Sequence, residues 1–140
     1  MYTALVDGDV EGKSGEVVHS MRPDTEHKVR QIVDQEGGKS AATSWRRLGR
    51  PAAGPSSTCT LMELRPKTGR THQLRVHMAA IGHPILGDTL YSGGDERVAS
   101  GRLMLHATRL EFDHPTTKER VVVEAKPLGD VWTTTTSKAG

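Results

Sequence analysis

The chain has 140 residues, 34% hydrophobic and only 4% aromatic, with a formal net charge of +2. That length fits one domain burying about 68–70% of its unfolded surface, over a core that must rest on Val, Leu, Ile, Met and Ala. The balanced charge excludes a strong global field, the single Cys59 excludes an internal disulfide, and no apolar stretch is long enough to span a membrane. A reducing compartment and a soluble, cytoplasmic protein are expected.

Tyr2-Thr-Ala-Leu-Val6 alternates and is rich in β-formers, so it predicts a strand that begins at once. Such an opening is expected of a chain that starts partway through a larger domain. Asp7-Gly8 signals a turn. From Glu11 to Lys39 the sequence is polar and broken by Gly12, Gly15, Pro23, Gly37 and Gly38, leaving short strands at Glu16–His19 and Arg30–Val33. Ala41 to Leu48 alternates and predicts a strand. Gly49 to Ser57, with Pro51, Gly54 and Pro55, forms a loop to a further strand, Thr58 to Leu64, and the two strands read as an antiparallel hairpin. Cys59 falls in that second strand and reads as a buried thiol.

Thr71 to Ile81 is the predicted helix, with Leu74, Met78 and Ile81 as its apolar stripe and His72, Arg75 and Ala79 on another face. Thr68 is placed to cap it and Gly82, before His83-Pro84, to stop it. Beyond Gly93-Gly94, Arg102 to Phe112 predicts a strand, and a turn at His114–Lys118 leads to its partner, Arg120 to Ala125. Residues 129–140 hold no core pattern apart from Trp132 and are expected to be disordered. The fold class is α+β, a mainly antiparallel mixed sheet with one principal amphipathic helix.

Chemistry concentrates around that helix. Arg65, Lys67, Arg70, His72, Arg75 and His77 fall in one window without an acidic residue, and Trp45-Arg-Arg-Leu-Gly-Arg50 adds a second basic knot. Arg70 follows Gly69 at the turn into the helix, where a guanidinium and free backbone N–H groups favour a phosphate or a carboxylate. His72 and Arg75, three apart, are suited to continue a track along a nucleic-acid backbone. The residues alone fit a solvated helix face equally well. His72 and His77 are five apart, about 140° around the axis, so they do not chelate a metal as an i, i+4 pair would. There is no Gly-x-Ser-x-Gly, and Cys59 has no placed base.

The stretch RPKTGRTHQLRVHMAAIGHPILGDTLY (65–91) closely resembles the signature of the RluA-type pseudouridine synthases, and LMLHATRLEFDHPTTKE (103–119) resembles the segment that follows it. The opening strand is similar to the one bearing that family's active-site tyrosine, and GEVVHSMRPDTEHKVRQIVDQEGGKSAATSWRRL (15–48) fits the same layout. The resemblance implies an RNA-modifying isomerase, without metal or organic cofactor, that breaks the glycosidic bond of a flipped uridine and rejoins the base through carbon. It assigns the catalytic tyrosine to Tyr2 and the arginine that pairs with the family's aspartate to Arg70. Lys67, Thr71, His72 and Arg75 are the RNA-contact candidates, for ribosomal or transfer RNA.

One departure stands out. The family's aspartate lies in a His-Arg-Leu-Asp motif ahead of the tyrosine strand, and this sequence contains no such motif. Asp7, Asp9 and Asp88 lack its context, and Asp88 matches a position read as structural. Residues 1–128 therefore read as the C-terminal part of a pseudouridine synthase catalytic domain, an incomplete fold, inactive as an isolated chain. Alternatives are a non-catalytic RNA-binding module derived from that fold, and a truncated reading frame that aggregates through an exposed sheet edge.

Overall fold

The computed structural model describes residues 1–27, 29–53, 58–92 and 102–134. Its principal sheet has five strands, in the order β2-β5-β6-β1-β7, and every pairing in it is antiparallel. These are β1 (Tyr2–Asp7), β2 (Ser14–Val18), β5 (Ala42–Gly49), β6 (Cys59–Pro66) and β7 (Leu105–Ala107). Two hairpins stand apart, β3 (Met21–Pro23) with β4 (Gln31–Val33), and β8 (Arg109–Asp113) with β9 (Arg120–Glu124). One α-helix, α1 (Gln73–Ala80), follows β6. Among the described residues the expected class holds: α+β, antiparallel, one α-helix.

Alternation predicted β1, β5 and β6, and a Gly or Pro lies at or just beyond the end of each: Gly8, Gly49 and Pro66. Thr3 to Val6 and Cys59 to Leu64 are buried on both faces of the sheet, so these two neighbouring strands form its centre. The hairpin of β5 and β6 forms as expected, with a register shift between Arg47 and Gly49. Its loop residues Gly54–Ser57 lie outside the described residues. Cys59 is a free, buried thiol, and burial pushes its pKa up. The core joins Ala4, Leu5, Val6, Leu61, Met62 and Leu64 of the sheet to Leu74 and Met78 of the helix, and to Ile85, Leu86, Met104 and Trp132. Each fully buried Leu or Met there contributes about 1.5–3 kcal/mol.

Several boundaries differ from expectation. The polar stretch 11–39 hides a third strand, β3, only three residues long and ending in Pro23, and β2 begins at Ser14 rather than Glu16. The single strand expected at Arg102–Phe112 divides at Thr108: β7 joins β1, while β8 leaves to pair with β9. The break is tertiary in origin, because the Thr108 side chain bonds to Thr3 (Oγ1···Oγ1 2.7 Å) while its N–H donates to the Met1 carbonyl (3.0 Å). Within the stretch 129–140, Asp130–Trp132 form a 3-10 turn, Trp132 is 8% exposed, and Pro51 bridges to Thr134. Residues 135–140 lie outside the described residues.

The helix is shorter than predicted. His72 stands at its N-cap in the left-handed region (φ 55, ψ 19), so Thr71 and His72 belong to the preceding turn, and no side-chain hydrogen bond caps the first helical turn. The expected Thr68 cap is replaced by another use of that hydroxyl, described below. The stop forms as read from Gly82. At φ 87 its N–H donates to the Ala79 carbonyl (3.0 Å) and the His83 N–H to the Met78 carbonyl (2.9 Å), which is a Schellman ending.

Candidate active site

A cavity of about 270 Å³ opens between the start of β1, the turn before α1, and β7. Tyr2, Arg70, His72 and Arg75, four of the six residues singled out in the sequence, line it together with Gln73 and Leu105. Tyr2 is carried there by pairing on both sides, with Leu64 on β6 and Ala107 on β7. It is half-buried, and among the described residues nothing bonds to its hydroxyl. An aromatic ring lining a cavity offers a stacking surface, and its phenol one donor–acceptor group.

Arg70 sits in the turn Thr68-Gly69-Arg70, where Thr68 is half-buried and Gly69 and Arg70 are exposed. Its Nε donates to the Ser40 carbonyl (3.0 Å), which orients the guanidinium, and among the described residues no carboxylate pairs with it. The backbone N–H of Arg70 is not free for an anion, as the sequence suggested, because it donates to Gln73 Oε1 (3.1 Å). Among the described residues, no Asp or Glu lines the cavity. Arg70 presents a cationic fork with no anionic partner among the described residues, a geometry suited to a carboxylate or a phosphate.

His72 and Arg75 meet at Tyr91 rather than along a helix face. Tyr91 Oη lies 2.7 Å from His72 Nδ1 and accepts the Gln31 N–H (2.9 Å). Burial, with Arg75 adding to it, lowers the His72 pKa and favours the neutral ring. Arg75 stacks over the Tyr91 ring (5.2 Å to the centroid) and grips Asp88 with two bonds, Nε–Oδ2 3.0 Å and Nη2–Oδ1 2.8 Å. Asp88 also accepts the N–H groups of Leu90 and Tyr91, which makes its task structural. Of the two remaining candidates, Lys67 is paired with Glu16 on β2, and Thr71 is exposed with no partner among the described residues.

Sequence reasoning missed Tyr91 and Gln73. Both stand inside the 65–91 stretch, but a tyrosine in a loop and a glutamine at a helix start carry no periodic signal. His77, read as a member of the basic window and as a failed metal ligand, is fully buried and bonds to Thr43.

Residues 1–80 match the RNA pseudouridylate synthase family. The dual-specificity RNA pseudouridine synthase RluA of Pasteurella multocida is 45% identical over 126 residues, covering 90% of this chain and 56% of the relative. The tRNA pseudouridine synthase C of Vibrio vulnificus is 36% identical over 144 residues, covering 94% and 58%. In structure, human RNA Pseudouridylate Synthase Domain Containing 1 superposes with a TM-score of 0.76 at 34% identity, covering 90% of this chain and 53% of its own. The chain thus spans a little over half the length of these relatives. With a family match over more than half its residues and relatives at this identity, the chain belongs to the RNA pseudouridylate synthase family, as a member of the RluA type.

Proposed function

We propose that residues 1–128 are the C-terminal part of the catalytic domain of a cytoplasmic RNA pseudouridine synthase that isomerises a uridine of ribosomal or transfer RNA. The observation that carries this reading is the cavity that Tyr2 and Arg70 share, in which Arg70 has no carboxylate partner among the described residues. A uridine extruded from its stack enters the cavity and lies against Tyr2, and Arg70 orients the carboxylate that attacks it. Lys67 and Thr71 contact the RNA from the rim, and His72 and Arg75 contact it from the cavity wall, backed by Tyr91 and Asp88. The names of the relatives, which specify RNA and tRNA, support the substrate class.

The absence of any Asp or Glu among the described residues that line the cavity also favours a second reading, an RNA-binding module without turnover. One experiment tests both. The chain is expected to bind structured RNA at low salt, with affinity falling steeply as salt rises, and to form no pseudouridine alone. Arg70→Ala is expected to weaken binding if the chain is a binding module. In an enzyme restored with the aspartate-bearing segment, it should lower turnover by about 100-fold or more and leave binding largely intact. Robust pseudouridine formation by the chain alone would overturn the missing-carboxylate reading, and no affinity for structured RNA at low salt would overturn both.

A further inference from the structure

The geometry points to Gln73, Thr43 and His77 as positioning residues, which hold the Arg70 turn through one buried, directional chain of hydrogen bonds. The turn Thr68-Gly69-Arg70 is not held by packing on its glycine, since a Cβ built on Gly69 meets nothing within 4 Å. It is held by polar contacts to residues 40–43. Gln73 is 3% exposed, and Thr43 and His77 are fully buried.

The backbone fixes the direction of every link. Gln73 Nε2 faces the Ala42 carbonyl (2.9 Å) and its Oε1 faces the Arg70 N–H (3.1 Å), so the amide has one allowed orientation. His77 Nε2 faces the His19 carbonyl (3.0 Å) and must carry the proton, which leaves Nδ1 of the neutral ring as an acceptor. Thr43 therefore donates to His77 Nδ1 (2.9 Å) and accepts from Gln73 Nε2 (3.0 Å). At the other end Thr68 Oγ1 donates to Gln73 Oε1 (2.6 Å) and accepts the Ala42 N–H (3.2 Å). Burial lowers the His77 pKa, and the one titratable neighbour in ring contact, His19, lies edge-on at 6.1 Å. The chain thus runs from the His19 carbonyl through helix and strand to the Arg70 N–H, with each hydrogen assigned.

This assignment deepens the proposed function by naming what holds its arginine, but it is testable without RNA. Amide hydrogen exchange at Arg70 reports whether Gln73 stays clamped. Thr43→Val deletes the central hydroxyl and is expected to speed that exchange about tenfold, while Thr43→Ser restores it to within about twofold. Thr60→Val is the control. It removes another buried hydroxyl, bonded to the Gly8 carbonyl and the Val10 N–H, and should leave Arg70 unchanged. Equal responses to Thr43→Val and Thr60→Val, or none to Thr43→Val, would overturn the assignment. If Thr43→Val does not fold, ring nitrogen shifts of His77 in the unaltered chain decide the matter: a proton on Nε2 supports it and a proton on Nδ1 refutes it. Failure of the unaltered chain to bind structured RNA would count against the proposed function, leaving the exchange result to judge the positioning chain.

Discussion

Asp88→Ala isolates the largest electrostatic commitment near the site. The Asp88 side chain is 0% exposed and its Arg75 partner 18%, and the carboxylate accepts two guanidinium bonds and two backbone N–H bonds. Removing it strands a mostly buried cation, a change that costs about 3–5 kcal/mol when one member of a buried pair is lost. The two released amides belong to half-buried Leu90 and Tyr91, where water fills the vacated space, so they add little. A domain of this size holds about 5–15 kcal/mol in all, and its urea slope is about 1–3 kcal/mol per molar. The midpoint of urea unfolding is therefore expected to fall by about 2 M. Glu16→Ala, which breaks the exposed pair with Lys67, should move stability by less than about 1 kcal/mol. The Arg75→Met, Asp88→Ala double variant should be milder than the sum of the two single losses, by about 1–3 kcal/mol. An Asp88→Ala loss no larger than that of Glu16→Ala, or additive single losses, would refute the assignment of a buried ion pair.

Two further outcomes follow from the packing. His72 and His77 have pKa values below the ordinary imidazole value of 6.5, so between those values the unfolded chain binds more protons than the folded one. Their contribution to stability is full above pH 6.5 and is lost as pH falls through the folded values. Urea midpoints should decline from about pH 6.5 downward, and a flat profile between about pH 7 and 5 would contradict the neutral rings. Gly15 lies under Trp45, where a built Cβ stands 2.7 Å from the indole Cζ2 and 2.9 Å from Nε1. Gly15→Ala must displace the ring at a cost of about 1–3 kcal/mol, seen as a lower melting temperature with a red-shifted tryptophan emission. An unchanged melting temperature would show that the ring moves freely.

What could be read from the sequence was what recurs at short period. The alternation of Tyr2–Val6 and of the 41–48 and 58–64 runs located the three central strands, and Leu74 and Met78 located the helix by spacing alone. Gly82 marked its end because only a residue tolerant of positive φ closes a Schellman turn easily. What was hidden depends on partners distant in sequence. The helix begins late because His72 turns left-handed and meets Tyr91, 19 residues onward. The strand break at Thr108 depends on Thr3, and β3 is too short to show a period. The resemblance pointed to Tyr2 and Arg70, and the cavity brings them together. It said nothing of Gln73, whose Ala42 and Thr43 partners lie 31 and 30 residues back.

The two-sided pairing of β1 bears on how the chain folds. Tyr2 reaches the cavity only when β1 is seated between β6 and β7, and the tie between Thr3 and Thr108 closes a loop of 105 residues. The neighbouring wall, from Thr68 to Gln73, rests on residues 40–43, a far shorter closure. Loop-closure entropy must be met before such long-range contacts stabilise anything, which favours folding in milliseconds to seconds over microseconds. The arginine turn therefore has a route to early order with the β5–β6 hairpin, while the tyrosine arrives with the last strand. In a refolding experiment, exchange protection should appear at Arg70 before it appears on β1.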